Sequence, residues 1–227
     1  CLSIGAFAVN NDIYITQTGT GLTLTIDQIG ATNKVGTSSS RVTLSGTSMT
    51  VDIDQIGDTN SFLASILQGN SSSWTWLNTG DSNQGTFTVG GTGDVAQTDF
   101  DYAATGDSNI FTWTQGAAST ATGGNQDFSI TGTSNEFTGT CEVVGCINNW
   151  TISGNSNDIT TTQTGSADHS ITASLTGGSN TVTIDQTDTA STNVVNLIST
   201  TTNGTIDVAV DATNGKIYWT VSNDRIQ

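Results

Sequence analysis

Few residues in this chain could do chemistry. His169 is the only histidine, in the run Gly165-Ser166-Ala167-Asp168-His169. Serine, histidine and aspartate make an acyl-transfer triad only where a fold converges them. A lone His just after a glycine turn reads as an exposed loop residue. Aspartates are plentiful, and two of them flanking a glycosidic bond could cleave it, but nothing marks one pair. Cys141 and Cys146 stand five apart in Cys-Glu-Val-Val-Gly-Cys. In an exported chain that spacing reads as a short-loop disulfide, because zinc would need two further ligands of the right kind. Cys1 is then the odd cysteine, open to lipidation, to cross-linking or to remaining a free thiol. No phosphate loop, dinucleotide fingerprint or zinc-ligand set is present. The expectation is no catalytic residue, no resident metal and no enzyme.

Charge narrows the partners. The net charge is −16, and Glu occurs only at Glu136 and Glu142, so nearly all of it is aspartate. The four cations, Lys34, Arg41, Lys216 and Arg225, are too few to track phosphates, which argues against nucleic acid. No run reaches the roughly 18 apolar residues of a membrane-spanning helix. The first residue is Cys1, as expected of a processed, exported chain.

The elements that must position these residues are strands. Hydrophobic residues make up only 33% of the chain, with Gly 26 and Pro 0, a composition near that of disorder. The apolar residues are instead β-branched or aromatic and fall in short alternating runs. Leu24, Ile26 and Gln28 share one strand face, with Thr23, Thr25 and Asp27 on the other. Val51, Ile53 and Gln55 repeat the first set, as do Val182, Ile184 and Gln186. Ile13, Ile15 and Gln17 fit, and so do Phe111, Trp113 and Gln115.

A turn follows at a fixed place. Gly-x-x-Asn occurs at Gly30–Asn33, Gly57–Asn60, Gly80–Asn83 and Gly106–Asn109, then at Gly132–Asn135, Gly154–Asn157 and Gly177–Asn180. The steps between these glycines are 27, 23, 26, 26, 22 and 23 residues. Glycine and asparagine suit turns that need positive φ. Units that cannot bury a face alone bury it by stacking. The expected fold is therefore all-β: a β-solenoid of about nine strand–turn–strand–turn rungs, roughly 40 Å long. Gln17, Gln28, Gln55, Gln115, Gln163 and Gln186 are expected to form a core ladder of stacked carboxamides. Asp27 and Asp54 should occupy equivalent outward positions in neighbouring rungs, where Ca²⁺ could bridge them. The acceptor pattern for N-glycosylation occurs at Asn70, Asn149 and Asn203, as chance alone would give in so Asn- and Thr-rich a chain.

The run Gln-x-Gly-x-x-Asn, strongest at Gln28–Asn33 and Gln55–Asn60, resembles the curlin repeat of bacterial curli. It is weaker at Gln17–Gly19 and Gln163–Gly165, and the likeness spans roughly residues 10–215. The resemblance implies a solenoid that polymerises end to end into extracellular fibres, as a divergent relative. The period wanders, several anchors lack Gln, and the Cys pair lies outside the motif.

Three parts follow: 1–12 as an apolar N-terminal strand, 13–215 as the solenoid, and 216–227 as a C-terminal strand. Neither end carries a strong cap, so Leu2, Ile4, Phe7 and Val9 at one end, and Tyr218 and Trp219 at the other, are the expected contacts between copies. The leading functional expectation is a subunit of an extracellular fibre, with itself as partner in a head-to-tail homopolymer. The alternative is a monomeric surface adhesin whose outward Trp and Thr rows touch glycans. A third is an ice-binding solenoid, because Thr23–Thr25, Thr112–Thr114 and Thr181–Thr183 are outward Thr pairs.

Overall fold

A computed structural model of the chain describes residues 2–6, 12–37, 39, 42–68, 71–89, 99–116, 125–142, 145–165, 169–188 and 192–221. Those residues contain strands, bends and turns and no helix, hence none long and apolar enough to cross a membrane. The strands form two sheets in which every pairing is parallel. Each strand inside the stack pairs with the strand one turn before it and the strand one turn after it, so the fold is a β-solenoid.

One sheet runs Leu2–Ala6, Thr23–Ile29, Thr50–Ile56, Ser73–Thr79, Asp99–Thr105, Asn125–Thr131, Ile147–Ser153, Ser170–Gly178, Val194–Thr202 and Lys216–Val221. It is called the acidic sheet below. The second is called the Thr sheet; its full strands are Ser61–Gln68, Gln84–Val89, Ile110–Gln115, Glu136–Cys141, Asp158–Gly165, Thr181–Asp188 and Thr205–Asp211. The repeat predicts about nine rungs. Seven turns carry a full strand in each sheet; in the two turns before them the Thr-sheet strand is split into short pieces, such as Lys34–Val35 and Val42–Ser45.

The wandering period has two locations, neither of them the Gly-x-x-Asn corner. Each full Thr-sheet strand starts eleven residues after the acidic-sheet strand it follows: Thr50 to Ser61, Ser73 to Gln84, Asp99 to Ile110, Asn125 to Glu136. The Gly-x-x-Asn corner is therefore constant. From the turn of Ser73 onward the variation in length falls at the opposite corner, where the chain returns to the acidic sheet, while the 27-residue turn of Thr23 gains its extra residues between Val35 and Val42, within the split Thr-sheet strand.

Alternation sets the core. Along the acidic sheet one inward column runs Ile26, Ile53, Trp76, Tyr102, Phe128, Trp150, Ala173 and Leu197. All of these are buried. Rings interlock across the two sheets: Phe62 and Trp76 centroids lie 4.8 Å apart, Tyr102 and Phe111 4.0 Å, Phe128 and Phe137 4.6 Å. Large residues are matched by small ones, since a Cβ at Gly85 would overlap the Trp76 indole.

Candidate functional site

The Gly-x-x-Asn corner is built differently from its sequence expectation. Glycine does take positive φ, for example 121° at Gly57 and 132° at Gly106. The second positive-φ residue is the Ser or Thr before the Asn: Thr32, Thr59, Ser82, Ser108, Ser134, Ser156 and Ser179, near 60°. The Asn is buried and acts through its side chain. Asn33 N–H donates to Asn60 Oδ1 (2.9 Å), Asn60 N–H to Asn83 Oδ1 (2.6 Å), and Asn83 N–H to Asn109 Oδ1 (2.9 Å). The series continues through Asn135 (2.8 Å) and Asn157 (3.0 Å) to Asn180 (2.9 Å). A second ladder runs the other way on the outside of the corner. Asp58 Oδ1 accepts Asp81 N–H (2.8 Å), and Asp81 Oδ1 accepts Asp107 N–H (2.7 Å). Glycine is required for space as well as φ: a Cβ at Gly57 would overlap the carbonyl oxygen of Gly30, and one at Gly106 that of Gly80.

The six glutamines do not form one ladder. Gln28 and Gln55 lie in the acidic sheet, and Gln55 Nε2 donates to Gln28 Oε1 at 2.8 Å. The next residue in that column is Asn78, after which the column turns apolar with Ala104 and Ile130. Gln115, Gln163 and Gln186 lie in the Thr sheet with Cys141 between the first two. Gln186 Nε2 donates to Gln163 Oε1 (2.6 Å), and Gln126 Nε2 reaches across the core to Gln115 Oε1 (3.4 Å). Gln17 is half-buried, and its Nε2 donates to the Thr18 carbonyl (3.3 Å). Strand alternation assigns a residue to inside or outside but not to one sheet or the other, which is why the single ladder splits.

His169 is fully buried, which corrects the exposed-loop expectation. Its Nδ1 accepts the backbone N–H of Cys146 (3.2 Å), and its own N–H donates to Asn193 Oδ1 (3.1 Å). It is a rung-to-rung clamp at the return corner, the counterpart of the Asn ladder opposite. Asp168 lies outside the described residues. Cys141 and Cys146 are joined as a disulfide, fully buried, with Cα atoms 6.6 Å apart.

The outward Trp row is also corrected: Trp74, Trp76 and Trp150 are buried and Trp219 is half-buried, while Trp113 is buried on the core face that its alternation with Phe111 and Gln115 gives it. A flat aromatic platform for sugar rings is thus missing from the described surface. Of the glycan acceptors, Asn149 is held in its strand, donating to Asn125 Oδ1 (3.1 Å) and Asp127 Oδ1 (2.7 Å). Asn70 is outside the described residues, and Asn203 is exposed in a turn.

The two outer faces differ. On the acidic sheet Asp27 and Asp54 are register partners. Asp52, Asp54, Asp101 and Asp127 line an open groove of about 470 Å³ over Leu77 and Ala103. Partial burial, then Asp52 and Asp27, raise the carboxyl pKa of Asp54 above the usual 3.8. Partial burial, then Asp127 and Asp99, do the same for Asp101. Among the described residues no three His, Cys, Asp or Glu side chains gather as a metal site. On the Thr sheet one outward column is Thr86, Thr112, Thr138, Thr160 and Thr183, and the next is Thr88, Thr114, Thr140 and Thr162. Of the three Thr pairs named above, Thr112–Thr114 belongs wholly to this array. Thr23–Thr25 lies on the acidic sheet, and Thr181 falls one column aside, next to Asp158.

At the two ends the core columns run out. Ile217 and Trp219 continue the inward columns of Val195 and Leu197, and Leu2 and Ile4 stand at the opposite ends of the same columns by register. Ile217 is 45% exposed although it faces inward, because no further rung among the described residues covers it. Tyr218 follows Asn196 on the outer face, so Ile217, which sequence reasoning missed, replaces it as a core-column end. Val208 and Val210 end the Thr-sheet columns, partly buried. Phe7 and Val9 lie outside the described residues. Set against protein-family models, curated proteins and solved structures, the chain matches none of them.

Proposed function

We propose that this chain is a structural subunit of an extracellular fibre, extended by laying the first rung of one copy on the last rung of another. The observation that carries this reading is the pair of half-covered core columns ending at Ile217 and Trp219. A parallel strand edge with an uncovered apolar face is a template for another strand. In the continuing register Ile217 would meet Leu2 of the next copy and Trp219 would meet Ile4. The Gln-x-Gly-x-x-Asn corners support a divergent curlin-like assembly. The acidic outer face would keep such fibres from bundling through like-charge repulsion.

The test is negative-stain electron microscopy of the purified chain over a concentration series. Thin filaments with an axial repeat of roughly 48 Å, one strand spacing for each of the ten strands of the acidic sheet, are expected. I217D and W219D should abolish them, while Y218D, on the outer column, should leave them in place. Monodisperse short rods at high concentration overturn the proposal, and so do filaments that survive both core-column substitutions.

A further inference from the structure

The outer face of the Thr sheet carries a pattern that fibre formation does not use. Over four consecutive strands both central outward positions are threonine, and a fifth strand supplies Thr183. Beneath the first and second columns the inward residues change from Phe87 to Trp113, Gly139, Thr161 and Ile184. The inner face thus follows the packing while the outer face does not vary. The acidic sheet serves as an internal control. Its equivalent outward column reads Thr25, Asp52, Thr75, Asp101, Asp127 and Asn149, so exposed strand positions in this fold do not default to threonine.

The array is a two-dimensional lattice. Neighbouring strands are about 4.8 Å apart, and same-face residues on one strand about 6.7 Å apart. Threonine is branched at Cβ and stiff at χ1, so each methyl and hydroxyl holds its place. The variable corner lies away from these strands, so the register is unbroken across the array. In a chain of net charge −16 the array contains no ionised group. The carboxylates of this sheet stand at its margins: Glu136 and Asp158 in the flanking column, Asp185 and Asp207 where the Thr columns end.

We propose that this Thr lattice binds the surface of ice. An uncharged rectangle of stiff threonines in unbroken register, with these two periods, lies close to the oxygen spacing on a prism face of hexagonal ice. It can hold ordered water in lattice positions without the strong, disordered hydration of carboxylates. Ice is the occupant favoured over a sugar polymer because Trp74, Trp76, Trp113 and Trp150 are buried in the core and the half-buried Trp219 belongs to the acidic sheet, so no indole stands on the Thr array to stack on sugar rings. The inference does not depend on polymerisation and holds for a single rod.

The experiment is ice-growth observation with the purified full chain: thermal hysteresis and crystal habit on a nanolitre osmometer, with retention on crystalline cellulose and chitin run in parallel. Wild type is expected to shape ice crystals and show hysteresis. T114K and T138K, at the middle of the array, should each lower the hysteresis several-fold with the circular dichroism spectrum unchanged. T138S, which loses a methyl but keeps the hydroxyl, should lower it in part. T151K, on the acidic sheet, should leave it unaltered. Absence of hysteresis in wild type overturns the proposal whatever the variants do. Equal hysteresis in folded T114K and T138K, or binding to a crystalline polysaccharide with no effect on ice, overturns it as well.

Discussion

The side-chain oxygen of Asn109 accepts the backbone amide of Asn83 at 2.9 Å, across 26 residues of sequence. Both residues are buried, so the amide has no water to turn to. The bond is one step of a continuous series from Asn33 to Asn180, and it fixes the rise from turn to turn at one corner of the rod.

Removing one step should therefore cost the price of an orphaned buried donor. N109A is expected to destabilise the fold by about 1–3 kcal/mol, the penalty for a buried amide left without a partner. Urea denaturation of wild type and variant, with the m-value unchanged, would measure it.

The glycine of the same corner should be less replaceable still. G106A would place a side chain at φ 132° and against the Gly80 carbonyl. A left-handed residue costs about 1–2 kcal/mol, and overpacking about 1–3 kcal/mol more. Thermal unfolding should show a larger drop in Tm than for G116A, where the nearest atom to a new Cβ is 4.0 Å away.

Acid should stabilise this protein. Asp54 and Asp101 hold their protons more tightly folded than unfolded, because partial burial and neighbouring aspartates disfavour their charge. A carboxyl raised in the folded state favours unfolding when ionised, so stability rises as the pH falls through the raised values and levels off below the usual 3.8. Tm is expected to climb from neutrality toward that value. D54N and D101N should raise Tm at neutral pH and flatten the climb.

His169 should prove a structural residue. H169A removes the acceptor of the Cys146 amide and leaves a cavity in the return corner, with an expected loss of about 2–4 kcal/mol. H169N, whose carboxamide can accept the same bond, should recover part of that loss in the same denaturation assay.

The Cys141–Cys146 link closes a very short loop, which limits its contribution through the unfolded chain to roughly 2 kcal/mol. Both sulfurs are buried. Alkylation of the reduced thiols should therefore follow global unfolding, and mass spectrometry of native protein in mild reductant should show the bond intact.

The architecture was largely legible in the sequence, because it is written in short-range signals repeated many times. Val51, Ile53 and Gln55 alternate as strand residues must, and Gly57–Asn60 marks a corner at a constant offset. The partition of strands between two sheets was not legible, since alternation is identical in both; this is what broke the expected glutamine ladder. The function of the corner Asn was hidden for a different reason. Its partner lies 22 to 27 residues away, so a local reading sees only a turn former. His169, Trp74, Trp76 and Trp150 escape a local reading because residue type suggests the surface, while the column each belongs to puts it in the core; Trp113, flanked by Phe111 and Gln115 in clear alternation, does not. Gln126 and Asn148, polar and buried in a core column, gave no sequence signal apart from their alternation with Asp127 and Asn149.

The two corners of each turn divide labour in a way that suits engineering. The Gly-x-x-Asn corner keeps time, always eleven residues from strand to strand, while the return corner accepts segments of different length. A peptide epitope or an enzyme-recruiting tag inserted at return corners would recur at strand spacing, about every 4.8 Å along the rod. The molecule is thus a ready-made scaffold for dense linear display, with an acidic groove on one face and an uncharged threonine array on the other to orient it on a support.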